Sequence, residues 1–336
     1  MKKTNRLFLM MLMAGSFAML FGSCKKNNEI KNDVVINLPE FVEDGEGKAY
    51  VDFADGNKFK WNANDQVMVY NLAEDGLTSE RAIYGTDASA EGKPTANFDY
   101  VSGDKLSAKK YGYFMFYPAS IVDQTKWNQE PNTMPNYQYF NVPGEQTYTV
   151  DQNGNPTVDP TSIAMAVELN NLAHGVNLKH IFGVLRLKIK GSGNVTKIEV
   201  VDSRFNLYGA VAMKLHAVKM DKFTQAQDYF IAVDDPYNNP SFLSYWDAYK
   251  TELQYFTEGA GRTMTLNCPG GIALNSTTET QFFMGLRPGA LKYGFTVNVY
   301  LDNATTPSKT FDYTGANNLH YGIKAGKIKG LSLVVD

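Results

Sequence analysis

The sequence predicts an all-β fold, and three observations predict it. From Val34 onward, short apolar or alternating runs are punctuated by Gly, Pro, Asn and Asp turns. Long helical periodicity is almost absent. The composition is low in charge (20%), 43% hydrophobic and 13% aromatic, with abundant Tyr, Thr, Asn and Gly. That is the balance of an exported β-protein with enough apolar material for two cores.

The elements follow in chain order. Val34–Leu38 is a first strand stopped by Pro39. Ala49–Phe53 runs into Ala54-Asp55-Gly56-Asn57, whose Asp-Gly pair signals a hairpin with Lys58–Trp61 as the return arm. Gln66–Asn71 and Gly112–Tyr117 are further strands; the second is apolar on both faces, which predicts burial on both, and it ends at Pro118. Asn132–Pro160, rich in Pro, Asn, Gly, Tyr and Thr, reads as a long surface connection with strand-like Tyr137–Val142 and Gln146–Val150 set into it.

A second series then begins with Phe182–Lys190 and Val195–Asp202. It continues through Leu207–Met213, Tyr229–Val233, Arg262–Leu266, Gln281–Leu286, Gly294–Tyr300, Lys309–Tyr313 and Gly330–Val335. In the first of these, Val184, Arg186, Lys188 and Lys190 point one way and Leu185, Leu187 and Ile189 the other, the pattern of a half-buried strand. The break near Leu172–His180 divides the chain into an N-terminal β domain, 34–175, and a C-terminal one, 176–336.

One stretch departs from the β rhythm. Phe242, Trp246, Tyr249, Leu253 and Phe256 recur at three- and four-residue spacing after Ser241, a candidate N-cap, and predict a short amphipathic helix. Its aromatic stripe has two readings: packing on the sandwich, or an exposed platform of Tyr245, Trp246 and Tyr249, with Trp127 elsewhere, for sugar rings or a protein partner.

The N-terminus reads as an export signal. Lys2, Lys3 and Arg6 precede the apolar run Leu7–Phe21, too short and wrongly flanked to span a membrane, and Gly22-Ser23 places small residues before Cys24. This is a lipoprotein signal, 1–23, with Cys24 as the lipidation site and 24–33 as a polar tether; several acyl chains at about 0.8 kcal/mol per CH₂ hold firmly in a bilayer. Removing the signal takes away three basic residues and leaves 29 basic against 35 acidic, a net charge of −6. Such a balance argues against nucleic acid as a partner. With Cys24 acylated, Cys268 is the remaining thiol and no intramolecular disulfide forms, so stability must come from packing.

Chemistry-bearing patterns are missing. His174, His180, His216 and His320 lack ligand spacing, so no zinc site is expected, and Cys268 has no patterned histidine beside it. Neighbouring acids such as Glu74-Asp75 and Asp234-Asp235 would face opposite ways on a strand. Asp151-Gln152-Asn153-Gly154-Asn155 resembles a calcium loop in flavour but has Pro156 at the sharp-turn position and Ser162 where a bidentate acid belongs; an Asn-Gly turn explains it. No catalytic residue, metal or cofactor is expected.

Strings along the chain resemble the fimbrillin-like family, the lipoprotein pilin and adhesin subunits of Gram-negative type V fimbriae. They are Phe59–Tyr70, Tyr113–Pro118, Val142–Tyr148 and Ala164-Met165-Ala166 in the first half. In the second they are His180–Leu187, Ile198-Glu199-Val200 with Leu207-Tyr208-Gly209, Phe283–Phe295 around Arg287-Pro288-Gly289, and Gly326-Lys327-Ile328. The resemblance implies two tandem transthyretin-like β-sandwich domains, the helix being an insertion in the second. It also implies a lipid-anchored place at the outer membrane, cell surface or fimbrium, and assembly with other fimbrial subunits by strand donation after an N-terminal segment is cut away. Stalk subunits of the family are cut after arginine. This chain has no arginine between Cys24 and Arg81, and Gly45-Glu46-Gly47-Lys48-Ala49 is the nearest match, which makes Lys48 and Ala49 the candidate maturation site; the other reading is that Lys48 merely opens the first strand pair. The expected function is thus a non-enzymatic fimbrial subunit or surface adhesin contacting a host protein or glycan. The rival is a monomeric glycan-binding lipoprotein of the outer membrane.

Overall fold

The computed structural model describes residues 33–39, 42–43, 59–71, 80–106, 113–122, 137–151, 153–169, 172, 175–214, 253–255, 261–287, 289–315, 322–324 and 326–336. The first half holds β1 (Asp33–Asn37), β2 (Val42–Glu43), β3 (Gln66–Asn71), β4 (Arg81–Gly85), β5 (Thr95–Gly103), β6 (Tyr113–Tyr117), β7 (Tyr137–Val142), β8 (Glu145–Thr147), β9 (Thr149–Val150), β10 (Pro156–Thr157), β11 (Met165–Leu169), β12 (Val176–Asn177) and β13 (Lys179–His180). The second holds β14 (Gly183–Gly191), β15 (Asn194–Asp202), β16 (Gly209–Lys214), β17 (Leu253–Tyr255), β18 (Thr263–Ala273), β19 (Thr280–Leu286), β20 (Phe295–Leu301), β21 (Lys309–Asp312) and β22 (Lys327–Val335). The fold is all-β; the helical turns among the described residues are three short 3₁₀ pieces.

Five sheets result. An eight-stranded sheet runs β12-β1-β5-β4-β3-β6-β11-β13, a four-stranded one β19-β14-β22-β2, a five-stranded one β21-β20-β15-β18-β8, and a three-stranded one β17-β16-β7, with β10-β9 as a small ribbon. The strands that follow Gly175, β12 and β13, close the two ends of the eight-stranded sheet rather than joining a later one.

β6 is buried along its whole length, as its both-face apolar pattern predicts. Its two faces enter different cores. Phe114 and Phe116, with Met68 and Tyr70 of β3, join the large core of Leu185, Leu187, Ile198, Val200, Phe282 and Val297; Tyr113, Met115 and Tyr117 join Trp61, Phe98, Val34 and Ile36 in the second.

The structure departs from the sequence reading in four places. Phe59–Trp61 is not a strand: Trp61 exchanges backbone bonds with Lys93 and Gly92 and plugs the second core, edge-on to Phe98 (4.7 Å) and Tyr117 (5.2 Å). β14 is buried on both faces, because Val184 packs with Phe283 and Ile328 into the second core and the row continues through Arg186 and Lys188. The predicted helix does not run through Leu253, since Leu253–Tyr255 is strand β17, paired with Val211–Met213; ladder partners override the three-and-four spacing there. The rest of that stretch, with Tyr245, Trp246 and Tyr249, lies outside the described residues. Finally, β18 continues past Leu266 through Cys268 and Pro269. Its register against β15 shifts between Val195 and Lys197, and the surplus residues form a bulge where Gly270 and Gly271 both take φ of 77°.

Candidate functional site

The arrangement best suited to function is the way the N-terminal segment is threaded into both halves. β1 lies inside the eight-stranded sheet, antiparallel to β5 and parallel to β12, with Val34 opposite Phe98 and Ile36 opposite both Ala96 and Val176. The alternation of Val34-Val35-Ile36 sends Val34 (1% exposed) and Ile36 (0%) inward and leaves Val35 at 41%. Polar bonds fix the register. The Trp61 indole N–H donates to Ile36 O (3.4 Å), Leu178 N–H to Asn37 O (3.1 Å) and Leu38 N–H to Pro94 O (2.9 Å), while Asn37 bridges Asn177 and Thr95 through its side chain.

Beyond β1 the chain crosses to the other half. The buried His180 ring donates from Nε2 to Pro39 O at 3.2 Å, with Phe59 edge-on at 5.8 Å. Burial drives its pKa from 6.5 down to about 3, against the opposing pull of the Pro39 bond, so the ring is neutral at ordinary pH. β2 then lies parallel to β22, with Val42 opposite Lys327 and Glu43 opposite Ile328. On its other side β22 is parallel to β14 from Val184↔Ile328 to Gly191↔Val335. Among the described residues, no strand lies against Gly330–Val335 on the side away from β14. Gly191 is required where the two strands end, since a Cβ there would sit 1.9 Å from Val335 O.

The same segment therefore completes two sheets, and both strands precede Lys48 in the chain. Lys48, Ala49 and Cys24 themselves lie outside the described residues. The sequence signalled β1 through its alternation, but gave no sign of β2 pairing with the C-terminal strand, a two-residue contact. The role of His180 at Pro39 was equally silent, because a single histidine without ligand spacing carries no pattern.

Elsewhere the geometry is structural. Cys268 is buried and burial pushes its thiol from 9.0 up to about 12, the opposite of an activated nucleophile. The Asp151 carboxylate accepts from Asn153 N–H, Asn155 N–H and the Asn155 amide, which is an Asx-type turn rather than a ligand set.

No protein-family model matches the sequence, and no curated protein matches it. Solved structures do. A candidate cell adhesion protein from Bacteroides ovatus aligns over 89% of this chain and 91% of its own at 12% identity and a TM-score of 0.44. A fimbrial protein from the same species aligns over 90% of this chain and 49% of its own (11% identity, TM-score 0.34). The tip fimbrial protein Mfa3 from Porphyromonas gingivalis aligns over 83% and 80% (13% identity, TM-score 0.31).

Proposed function

We propose that the protein is a fimbrial subunit or fimbrillin-like surface adhesin, anchored at the outer membrane through acylated Cys24 until a cut after Lys48 releases it, that joins other subunits by exchanging the β1 position. The carrying observation is that β1 has a strand on each side and two side chains in the core, yet reaches the rest of the chain through a segment containing Lys48. A cut after Lys48 leaves β1 and β2 held by non-covalent contacts alone. Their departure would open a slot beside β5, lined by Phe98, Ala96, Val176 and Trp61, with unpaired backbone groups on its walls. An incoming strand alternating like Val34-Val35-Ile36 would rebury what two such side chains bury, about 3–6 kcal/mol.

In this reading the chain is two tandem transthyretin-like sandwiches, 34–175 and 176–336, with an insertion between β16 and β17, and it acts without catalysis. The second reading, a glycan-binding lipoprotein, has one observation in its favour. In the three-stranded sheet Lys214 pairs with Tyr137 and Met213 with Leu253, so the start of β7, the end of β16 and the start of β17 share one end. In the chain, Trp127 precedes β7, and Tyr245, Trp246 and Tyr249 fall between β16 and β17; all four lie outside the described residues.

Intact mass of protein recovered from cell envelopes, before and after a lysine-specific protease, tests the proposal. Loss of everything through Lys48 together with high-mass ladders, both abolished in Lys48→Ala, is the expected result. A chain that always begins at acylated Cys24 and stays monomeric in the presence of protease overturns subunit exchange and leaves the glycan-binding reading.

A further inference from the structure

The slot that holds β1 is apolar inside and polar at one end. Val34 faces Phe98 across the β5 wall, and Ile36 faces Ala96 on that wall and Val176 on the β12 wall. These side chains are all buried, and they ask of an occupant only that its inward positions be aliphatic. The next position differs. Asn37 lies opposite Thr95 on one wall and Asn177 on the other. Its Nδ2 donates to Asn177 Oδ1 at 2.9 Å, and its Oδ1 accepts from the Thr95 hydroxyl at 2.7 Å. The donor and acceptor ends of one amide are thus each met by a different wall.

Alternation alone leaves the register open. Moving an alternating strand by one residue turns its apolar side chains away from the core, whereas moving it by two keeps them inside. The β1 sequence has that freedom, because Val34, Ile36 and Leu38 recur at every second position. A two-residue shift one way sets Ile36 opposite Phe98 and Leu38 between Ala96 and Val176, with Pro39 where Asn37 stood. The opposite shift sets Val34 between Ala96 and Val176, with Val35 at the amide position. Neither Pro39 nor Val35 has a side-chain group to offer the Thr95 hydroxyl and the Asn177 amide. The bonds from Leu178 N–H to Asn37 O and from the Trp61 indole to Ile36 O go to backbone carbonyls, which every strand supplies. A single polar position in an apolar repeat fixes one register among several at a packed interface.

We infer that Asn37 sets the register of β1, and that a strand donated by another subunit is selected by an amide at the same position. The partner strand then reads aliphatic, free, aliphatic, asparagine, with Thr95 and Asn177 as the residues that recognise it. This rests on the exchange of β1 proposed above and adds the chemistry of the strand that enters.

The test uses the mature chain, cut after Lys48 by a lysine-specific protease and incubated with an excess of labelled peptide Asp33–Glu43. The parent peptide should be captured. The Asn37→Leu peptide should be captured about 3- to 10-fold more weakly, the worth of two partly solvated hydrogen bonds. The Val35→Leu peptide should stay within about twofold of the parent, since Val35 points outward at 41% exposure. In a chain carrying Thr95→Val and Asn177→Ala, both at exposed positions, the parent and Asn37→Leu peptides should be captured equally. Equal capture of those two peptides by the unaltered chain overturns the inference and leaves strand exchange standing. A preference that persists unchanged in the double variant does the same, as does an equal loss with the Val35→Leu peptide. A chain that resists the cut, or a cut chain that captures none of the peptides, overturns strand exchange and this inference with it.

Discussion

Lowering the pH should loosen the N-terminal segment, with His180 as the responsible group. The ring is buried, donates to Pro39 O, and is held neutral by a fall in pKa from 6.5 to about 3. Its pKa is lower in the folded than in the unfolded chain, so the stability it preserves is fully present above about 6.5 and is lost as pH falls toward 3. Between about pH 7.5 and about pH 5 the unfolded chain gains this proton while the folded chain does not. Each pH unit below 6.5 costs about 1.4 kcal/mol, or about 2 kcal/mol by pH 5. Most carboxylates remain ionised across that window, and comparison with a variant cancels what the other three histidines contribute. Urea unfolding of the wild type and of His180→Gln, at several pH values in this range, measures the difference. Glutamine keeps a donor for Pro39 O but cannot titrate, so the variant should have a slope flatter by about that amount. Amide exchange should place the wild-type loss first at β1 and Leu38, whose bonds border Pro39. A variant that retains the full pH slope refutes the assignment.

Two further predictions concern the packing that holds the halves together. The Gln146 amide mimics a strand, donating from Nε2 to Gly285 O (2.7 Å) and accepting from Gly285 N–H (2.9 Å); Gln146→Leu orphans both buried groups and should cost about 2–4 kcal/mol in urea unfolding, whereas a loss under about 0.5 kcal/mol would show that water replaces them. Cys268, buried with its thiol near 12, should react with a disulfide reagent only on unfolding, and rapid labelling of the native protein at mildly alkaline pH would contradict its placement.

Strands were legible wherever the buried face alternates or is continuous. Gln66–Asn71 and Gly183–Gly191 emerge within a residue of the expected runs, the first from its continuous apolar run Val67–Tyr70 and the second from the alternation of Leu185, Leu187 and Ile189 in its sequence. Burial of Arg186 and Lys188 was not legible, since a charged row on a strand signals solvent until another layer is known to cover it. Leu253–Tyr255 failed for a related reason: the pairing partner, Val211–Met213, lies far back in the chain, and local spacing cannot weigh a ladder it does not contain. At the candidate site, sequence gave the alternating strand and the lysine that could release it. It was silent on the two-residue pairing of Val42–Glu43 with the C-terminal strand, too short to leave a pattern.

That C-terminal strand sets a schedule. β22 is not an edge added late to a finished sheet; at its start it stands between β14 and β2, so a strand from the beginning of the chain joins that sheet only through the nine residues Lys327–Val335. Asn37 likewise finds its Asn177 partner only 140 residues downstream. Closure of contacts this remote is slow, and β2 cannot pair until Lys327 and Ile328 are in place. Until that strand arrives, β2 has no ladder partner and β14 has only β19, so this one sheet joins the earliest described strands to the latest.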